Sequence, residues 1–274
     1  MTHDVLYAYG FVRDGFDAAG APSGLDDVPV GVSRVGGVGA LVSRLPREAY
    51  AAAEVERKSG DVAWLSPRAM AHDRVLTWAQ EHGGVIPLPM FSLWGSDEAL
   101  SGALTSRARE LLRLFERVAG ADEFGVRVYR LDAVMLEGLD ELDPEIARLR
   151  HEANAAPPGQ RYLIERKIAD QGKLALRSAS HRLAKQVFDA LRPLARDALA
   201  RPLVPDAARA TEATLVLNGA FLVDRKRLDE FRAAVGEHVR QYQPRGLTFD
   251  FTGPWPPYNF VAEANESAST REPK

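Results

Sequence analysis

The sequence predicts an α+β fold in two domains, each an antiparallel sheet with helices packed on it, the second ferredoxin-like (βαββαβ). Three observations predict it. The chain has 274 residues, close to two domains at about 150 residues each. The second half reads strand, helix, strand, strand, helix, strand, the order of the split βαβ unit. The first half is similar but opens with three strands before its helices. The expected boundaries are 1–120 for the N-terminal domain and 121–261 for the C-terminal domain with a long helical insertion, with a polar, disordered tail over 262–274.

Val5 to Val12 is rich in aromatic and β-branched residues and reads as a strand buried on both faces. Residues 13–28 have loop composition. Val30–Val35 and Val38–Val42 are short strands around Gly36-Gly37, a pair suited to a tight hairpin turn. After Pro46 the pattern becomes helical. Ser66-Pro67 suits a helix start, although Asp61–Leu65 can form a preceding turn; this helix ends at Gly83-Gly84. Val85–Pro89 reads as an edge strand because of its prolines. Ser96 caps a helix with Leu100, Leu104, Leu111, Phe115 and Val118 on one face, closed by Gly120.

Glu123–Leu131 is the next strand, and residues 138–160 read as a polar crossover. Residues 160–200 are helical, interrupted at Gly172 and bent or broken at Pro193. Thr214–Val223 is expected to be two strands joined by a turn at Asn218-Gly219. Asp224 caps a helix carrying Leu228, Phe231, Val235, Val239 and Tyr242, and Leu247–Phe251 is the final strand.

Composition narrows the function. The chain has no cysteine, which removes thiol nucleophiles and iron–sulfur clusters and fits a cytoplasmic protein. A net charge of −3 offers no electrostatic case for nucleic acid or an anionic membrane. The first residues have no signal-peptide pattern, and no apolar run approaches the ~20 residues of a membrane span. No nucleophile elbow, zinc-protease motif or phosphate loop occurs, and the six histidines are scattered, so no metal or organic cofactor and no small-molecule substrate are expected.

Two segments stand out. Arg225-Lys226-Arg227 places three cations at a helix start, against the macrodipole. Either Asp229 and Glu230 compensate as i, i+4 partners of Arg225 and Lys226, or the run is a site for an anion or an acidic partner. Thr252-Gly-Pro-Trp-Pro-Pro-Tyr-Asn-Phe260 combines rigid prolines with three rings. It is either a strap packed on the protein's own core or a rigid aromatic surface for a partner. Trp255 is expected to be buried near the domain junction, with Tyr258 and Phe260 at the rim of a partner surface.

That closing segment, extended to Val261, resembles the C-terminal signature of the gas vesicle protein F/L family (GvpF/GvpL). Five further stretches agree in order: Tyr7-Ala-Tyr-Gly-Phe-Val12, Ala40-Leu-Val-Ser43, Trp64-Leu-Ser-Pro-Arg-Ala-Met-Ala-His72, Val85-Ile-Pro-Leu88, and Gly159-Gln-Arg-Tyr-Leu163. The chain departs from the family at Pro89-Met90-Phe91-Ser92-Leu93-Trp94. The resemblance implies a two-domain α+β protein without enzymatic activity. It also implies an accessory or minor component of the gas vesicle that engages the small hydrophobic shell subunit and other accessory proteins during assembly. Two rival readings are a carboxylate-dependent enzyme with an interdomain cleft and a regulatory binding module unrelated to gas vesicles.

Overall fold

The computed structural model describes residues 4–204 and 213–261, so the expectation for the 262–274 tail lies outside the described residues. Among these residues the chain forms two compact units, 4–123 with 254–261, and 124–253. Residues 254–261, grouped by sequence with the second half, belong to the first unit.

The first sheet runs β2 (Gly31–Val35), β3 (Val38–Pro46), β1 (Asp4–Arg13), β4 (Ile86–Pro87), with β5 (Leu93–Trp94) also on β1. All of these pairings are antiparallel. Gly36 and Gly37 both have positive φ (60° and 87°), giving the expected two-residue turn. In β1 the register against β3 slips between Ala8 and Gly10. This bulge rephases the alternation, so that Val5, Tyr7, Tyr9 and Val12 enter the same core.

That core is completed by α2 (Val62–His82) through Ala71, Val75, Leu76 and Ala79. A short α1 (Ala52–Lys58) precedes it. Asp61 caps α2 by accepting bonds from the Ala63 and Trp64 amides, so the helix starts before Ser66, and Pro67 lies inside it. On β1's opposite face lies α3 (Asp97–Val118), whose Arg107 guanidinium sits over the Phe11 ring. Helices on both faces explain why β1 is buried along nearly its whole length.

The second sheet runs β7 (Asp197–Ala200), β8 (Thr214–Asp224), β6 (Ala121–Arg130), β9 (Leu247–Trp255). With α7 (Pro158–Leu191) after β6 and α8 (Leu228–Tyr242) after β8, this is the ferredoxin-like order. Alternate residues Phe124, Val126 and Val128 of β6 share a core with Leu176, Leu183 and Val187 of α7 and Phe231 and Val235 of α8.

Several expectations need correction here. Asn218 and Gly219 are not a turn; they lie inside β8, where Gly219 pairs with Ala200 of β7. Glycine is needed there for space: an added Cβ would sit 2.6 Å from the Phe221 ring. The second strand of the motif is β7, a stretch expected to be helical. Pro193 ends α7 at Leu191, and a 3-10 turn over Arg192–Leu194 follows. Gly172 does not interrupt α7. Residues 138–160, read as a crossover, hold α5 (Leu139–Leu142) and α6 (Pro144–Ala155), after α4 (Asp132–Glu137). Asp143 caps α6 through the Glu145 and Ile146 amides, with Pro144 at its first position. The last strand extends through Pro254 to Trp255, which an edge position permits.

Candidate functional site

Each sequence-nominated residue falls in one of two places. Trp255, Tyr258 and Phe260 of the strap belong to the first unit, and Arg225–Arg227 belong to the second.

In the strap, burial is the reverse of expectation. Trp255 is 41% exposed, whereas Phe260 is only 2% exposed, and Pro256, Pro257 and Val261 are buried. The reason lies in what holds the segment. The buried carboxylate of Glu123 accepts a bond from the Asn259 amide at 2.9 Å, and Asn259 Nδ2 donates to its other oxygen. This clamp turns Phe260 inward and leaves Trp255 outside, at the end of β9. Tyr258 packs against the first core, and burial, with Asp73 and Glu123 nearby, raises its hydroxyl pKa.

The arginine run forms a 3-10 turn ahead of α8 instead of the helix start itself. Arg227 pairs with Glu230, at i, i+3, and its Nη1 donates to the Pro193 carbonyl at 3.3 Å. Asp224 caps no amide with its side chain and pairs with Arg196 instead. Arg225 and Lys226 are exposed.

A polar cluster that sequence reading did not find lies under the first sheet. Tyr7 donates its hydroxyl proton to His72 Nδ1 at 2.6 Å, and His72 Nε2 donates to the Leu88 carbonyl at 3.2 Å. Burial pushes the His72 pKa down to about 4, so the ring is neutral near pH 7. Tyr9 donates to Ser43 Oγ at 3.0 Å and accepts from the Leu25 amide at 2.9 Å. Closer to solvent, Arg68 donates to Tyr50 Oη (3.0 Å) and to Asp26 (2.5 Å), and Tyr50 donates to the other Asp26 oxygen. Asp26 holds a left-handed φ of 51° to present both oxygens.

The Arg68 guanidinium lies 4.4 Å over the Trp64 ring, which stacks on Phe91 at 5.4 Å. Phe91, within the divergent loop, also has a left-handed φ (64°), which seats its ring edge-on to Tyr7. The helix itself carries the signal: Trp64, Arg68 and His72 recur at i, i+4, i+8, which is one helical face.

The first sheet also offers an open edge. Because Val35 and Val38 flank a two-residue turn, they form a hydrogen-bonded pair. The alternation then points the Val32 and Arg34 amides and carbonyls away from β3. Beside this edge lies a groove of about 490 Å³ lined by Val28, Val30, Val32 and Val42, with Arg44 and Asp97 at one end. Those two residues are paired at 2.8 Å.

The gas vesicle synthesis protein GvpL/GvpF model matches residues 5–262. The chain belongs to that family. Gas vesicle protein L of Streptomyces sp. (strain CB03234) is 26% identical over 271 residues, covering 97% of this chain and 96% of the relative. Gas vesicle protein F of the same strain is 28% identical, covering 93% and 98%. The crystal structure of GvpF from Anabaena sp. PCC7120 superposes with a TM-score of 0.71 at 20% identity, covering 94% of this chain and 98% of that one. GvpF from Microcystis aeruginosa gives 0.67 at 19% identity. Both share the fold of this family member. Among the described residues no helix is long and apolar enough to cross a membrane.

Proposed function

We propose that the protein acts by binding, engaging the small hydrophobic shell subunit and other accessory proteins while the gas vesicle is assembled in the cytoplasm. It needs no cofactor or catalytic step for this. A shell subunit with an apolar surface must be shielded until it joins the wall. The observation that carries this reading is the open β2 edge beside its valine-lined groove. Unpaired strand groups accept an extended segment through main-chain hydrogen bonds, while the groove takes alternate side chains. Exposed Trp255 with half-buried Tyr258, and the exposed cations Arg225 and Lys226 beside Arg227, serve as further contacts. Phe260 contributes as the anchor of the strap.

Proline at an outward-facing strand position removes the donor and blocks pairing without touching the β2–β3 bonds. The test is co-purification of the full chain with the shell subunit, for wild type, Arg34→Ala and Arg34→Pro. Wild type and Arg34→Ala should retain the subunit, and Arg34→Pro should lose most of it. Retention by Arg34→Pro would remove the edge from the binding mode, and failure of wild type to retain the subunit would remove the reading itself.

A further inference from the structure

Helix α7 is 34 residues long, about 51 Å, yet its buried side of the chain begins only at Gly172. Through residues 158–171 it is held along α6 by part-buried Ile164 and Ile168, the latter packed on Leu139 and Ile146, by Arg161 donating to the Ala153 carbonyl at 3.0 Å, and by the Lys167–Glu145 pair. Its outer surface carries large apolar side chains in the open: Tyr162 is 64% exposed, Leu163 63% and Leu174 71%. Leu163 and Leu174 are eleven residues apart. At about 100° per residue that is three turns and about 20°, so the two leucines lie on one stripe about 16 Å apart.

The stripe between and beside them is basic. Arg166, Lys167, Lys173 and Arg177 flank it, against the single carboxylate of Asp170. The whole helix carries seven lysines and arginines and three acids, in a chain whose net charge is −3. Neighbouring acids offset only part of it: Glu145 and Glu152 of α6 both pair with Arg148, and Glu145 is shared with Lys167 at 3.9 Å.

We propose that this stripe is a docking surface for an acidic amphipathic helix of another protein. A helix lying nearly along α7 meets Leu163 and Leu174 with apolar residues of its own three turns apart. Its carboxylates then fall opposite Arg166, Lys167 and Lys173, so charge complementarity sets both partner and register. An anionic bilayer fits less well. Two leucines separated by a charged belt cannot both insert without drawing Arg166, Lys167 and Asp170 into the apolar phase. The surface is distinct from the β2 edge and does not depend on what that edge binds.

The test uses the full chain and a labelled synthetic helix of about five turns, with two leucines eleven residues apart and glutamates between them. A counterpart carries lysine for glutamate, and phosphatidylglycerol vesicles form a third arm. Fluorescence anisotropy should show the glutamate peptide binding at least about tenfold tighter than the lysine peptide, and weakening as salt rises. Arg166→Glu with Lys167→Glu should invert that preference. Leu163→Ser with Leu174→Ser should weaken binding about tenfold. All four side chains are solvent-facing, so circular dichroism midpoints should match wild type. Equal or absent binding of the two peptides to wild type overturns the proposal, as does unchanged affinity in the variants. Vesicle capture without peptide binding overturns it in favour of a lipid surface.

Discussion

The two sheets solve burial in different ways. The first is covered on both faces, and one of its cores is wired with hydroxyls and an imidazole: Tyr7 to His72, Tyr9 to Ser43, Tyr50 to Asp26 and Arg68. The second packs α7 and α8 in one apolar core, where the rings of Phe188, Phe221, Phe231 and Phe251 follow one another at 5.3–6.1 Å. A phenylalanine core depends on volume. A tyrosine–histidine core depends also on protonation, because each buried polar atom needs its partner in one charge state. The molecule itself supplies a way to watch the two separately. All four tryptophans, Trp64, Trp78, Trp94 and Trp255, belong to the first unit. Indole emission therefore reports that unit, while far-ultraviolet circular dichroism reports both.

The largest effect should come from Phe221→Ala, which empties the middle of the second core beside Gly219. A cost of about 3–5 kcal/mol is expected. Denaturant unfolding should show it in circular dichroism, with the tryptophan transition moving much less. A tryptophan transition that shifts by the same amount would mean that the units unfold as one.

Next in size is acid sensitivity of the first unit. The folded pKa of His72, about 4, lies below its ordinary value of 6.5. The unfolded chain therefore binds the proton first as pH falls. The stability tied to neutral His72 is complete above pH 6.5 and is lost as pH drops through about 4, on the order of 3 kcal/mol. Unfolding free energies of wild type and His72→Gln, measured by tryptophan emission across that range, should converge as pH falls. A constant difference would mean that the ring does not titrate as its burial implies.

The smallest effect is expected at the strap. With its indole 41% exposed and the rest covered, Trp255→Ala should cost about 1 kcal/mol, well below Phe221→Ala, read by circular dichroism because emission also changes. A loss of several kcal/mol would make Trp255 a core residue despite its exposure and move the strap's anchor away from Phe260.

Much of the fold was legible in the chain. Gly36-Gly37 between β-branched runs allows only a tight hairpin, and Ser96 followed by leucines at helical spacing marks a helix start whose Ala99 amide bonds to the serine at 3.2 Å. These signals are local, set by φ preferences and nearest hydrogen bonds, and they survive whatever packs around them. Asn218-Gly219 carries an equally strong local signal and was overridden. Pairing with β7 and the Phe221 ring decided that glycine, and both lie outside any short window of sequence. The same holds for residues 197–200, whose strand exists through its ladder with β8.

Local patterns in the chain mark β6, α8 and β9 of the second half, the Gly36-Gly37 hairpin and the Ser96 cap of the first, and, through the proline–aromatic strap, the family. The second strand of the ferredoxin-like order, β7, reads as helix in the sequence. Which strap ring faces water depends on long-range packing, because it rests on the Glu123 clamp closing across more than a hundred residues onto Asn259. Such packing also decided that Tyr7 meets His72, since a bulge in β1 and a turn of α2 must first be packed together. Local chemistry is written in neighbouring residues. A buried polar partnership is written in distance, and distance between remote residues exists only after the chain has folded.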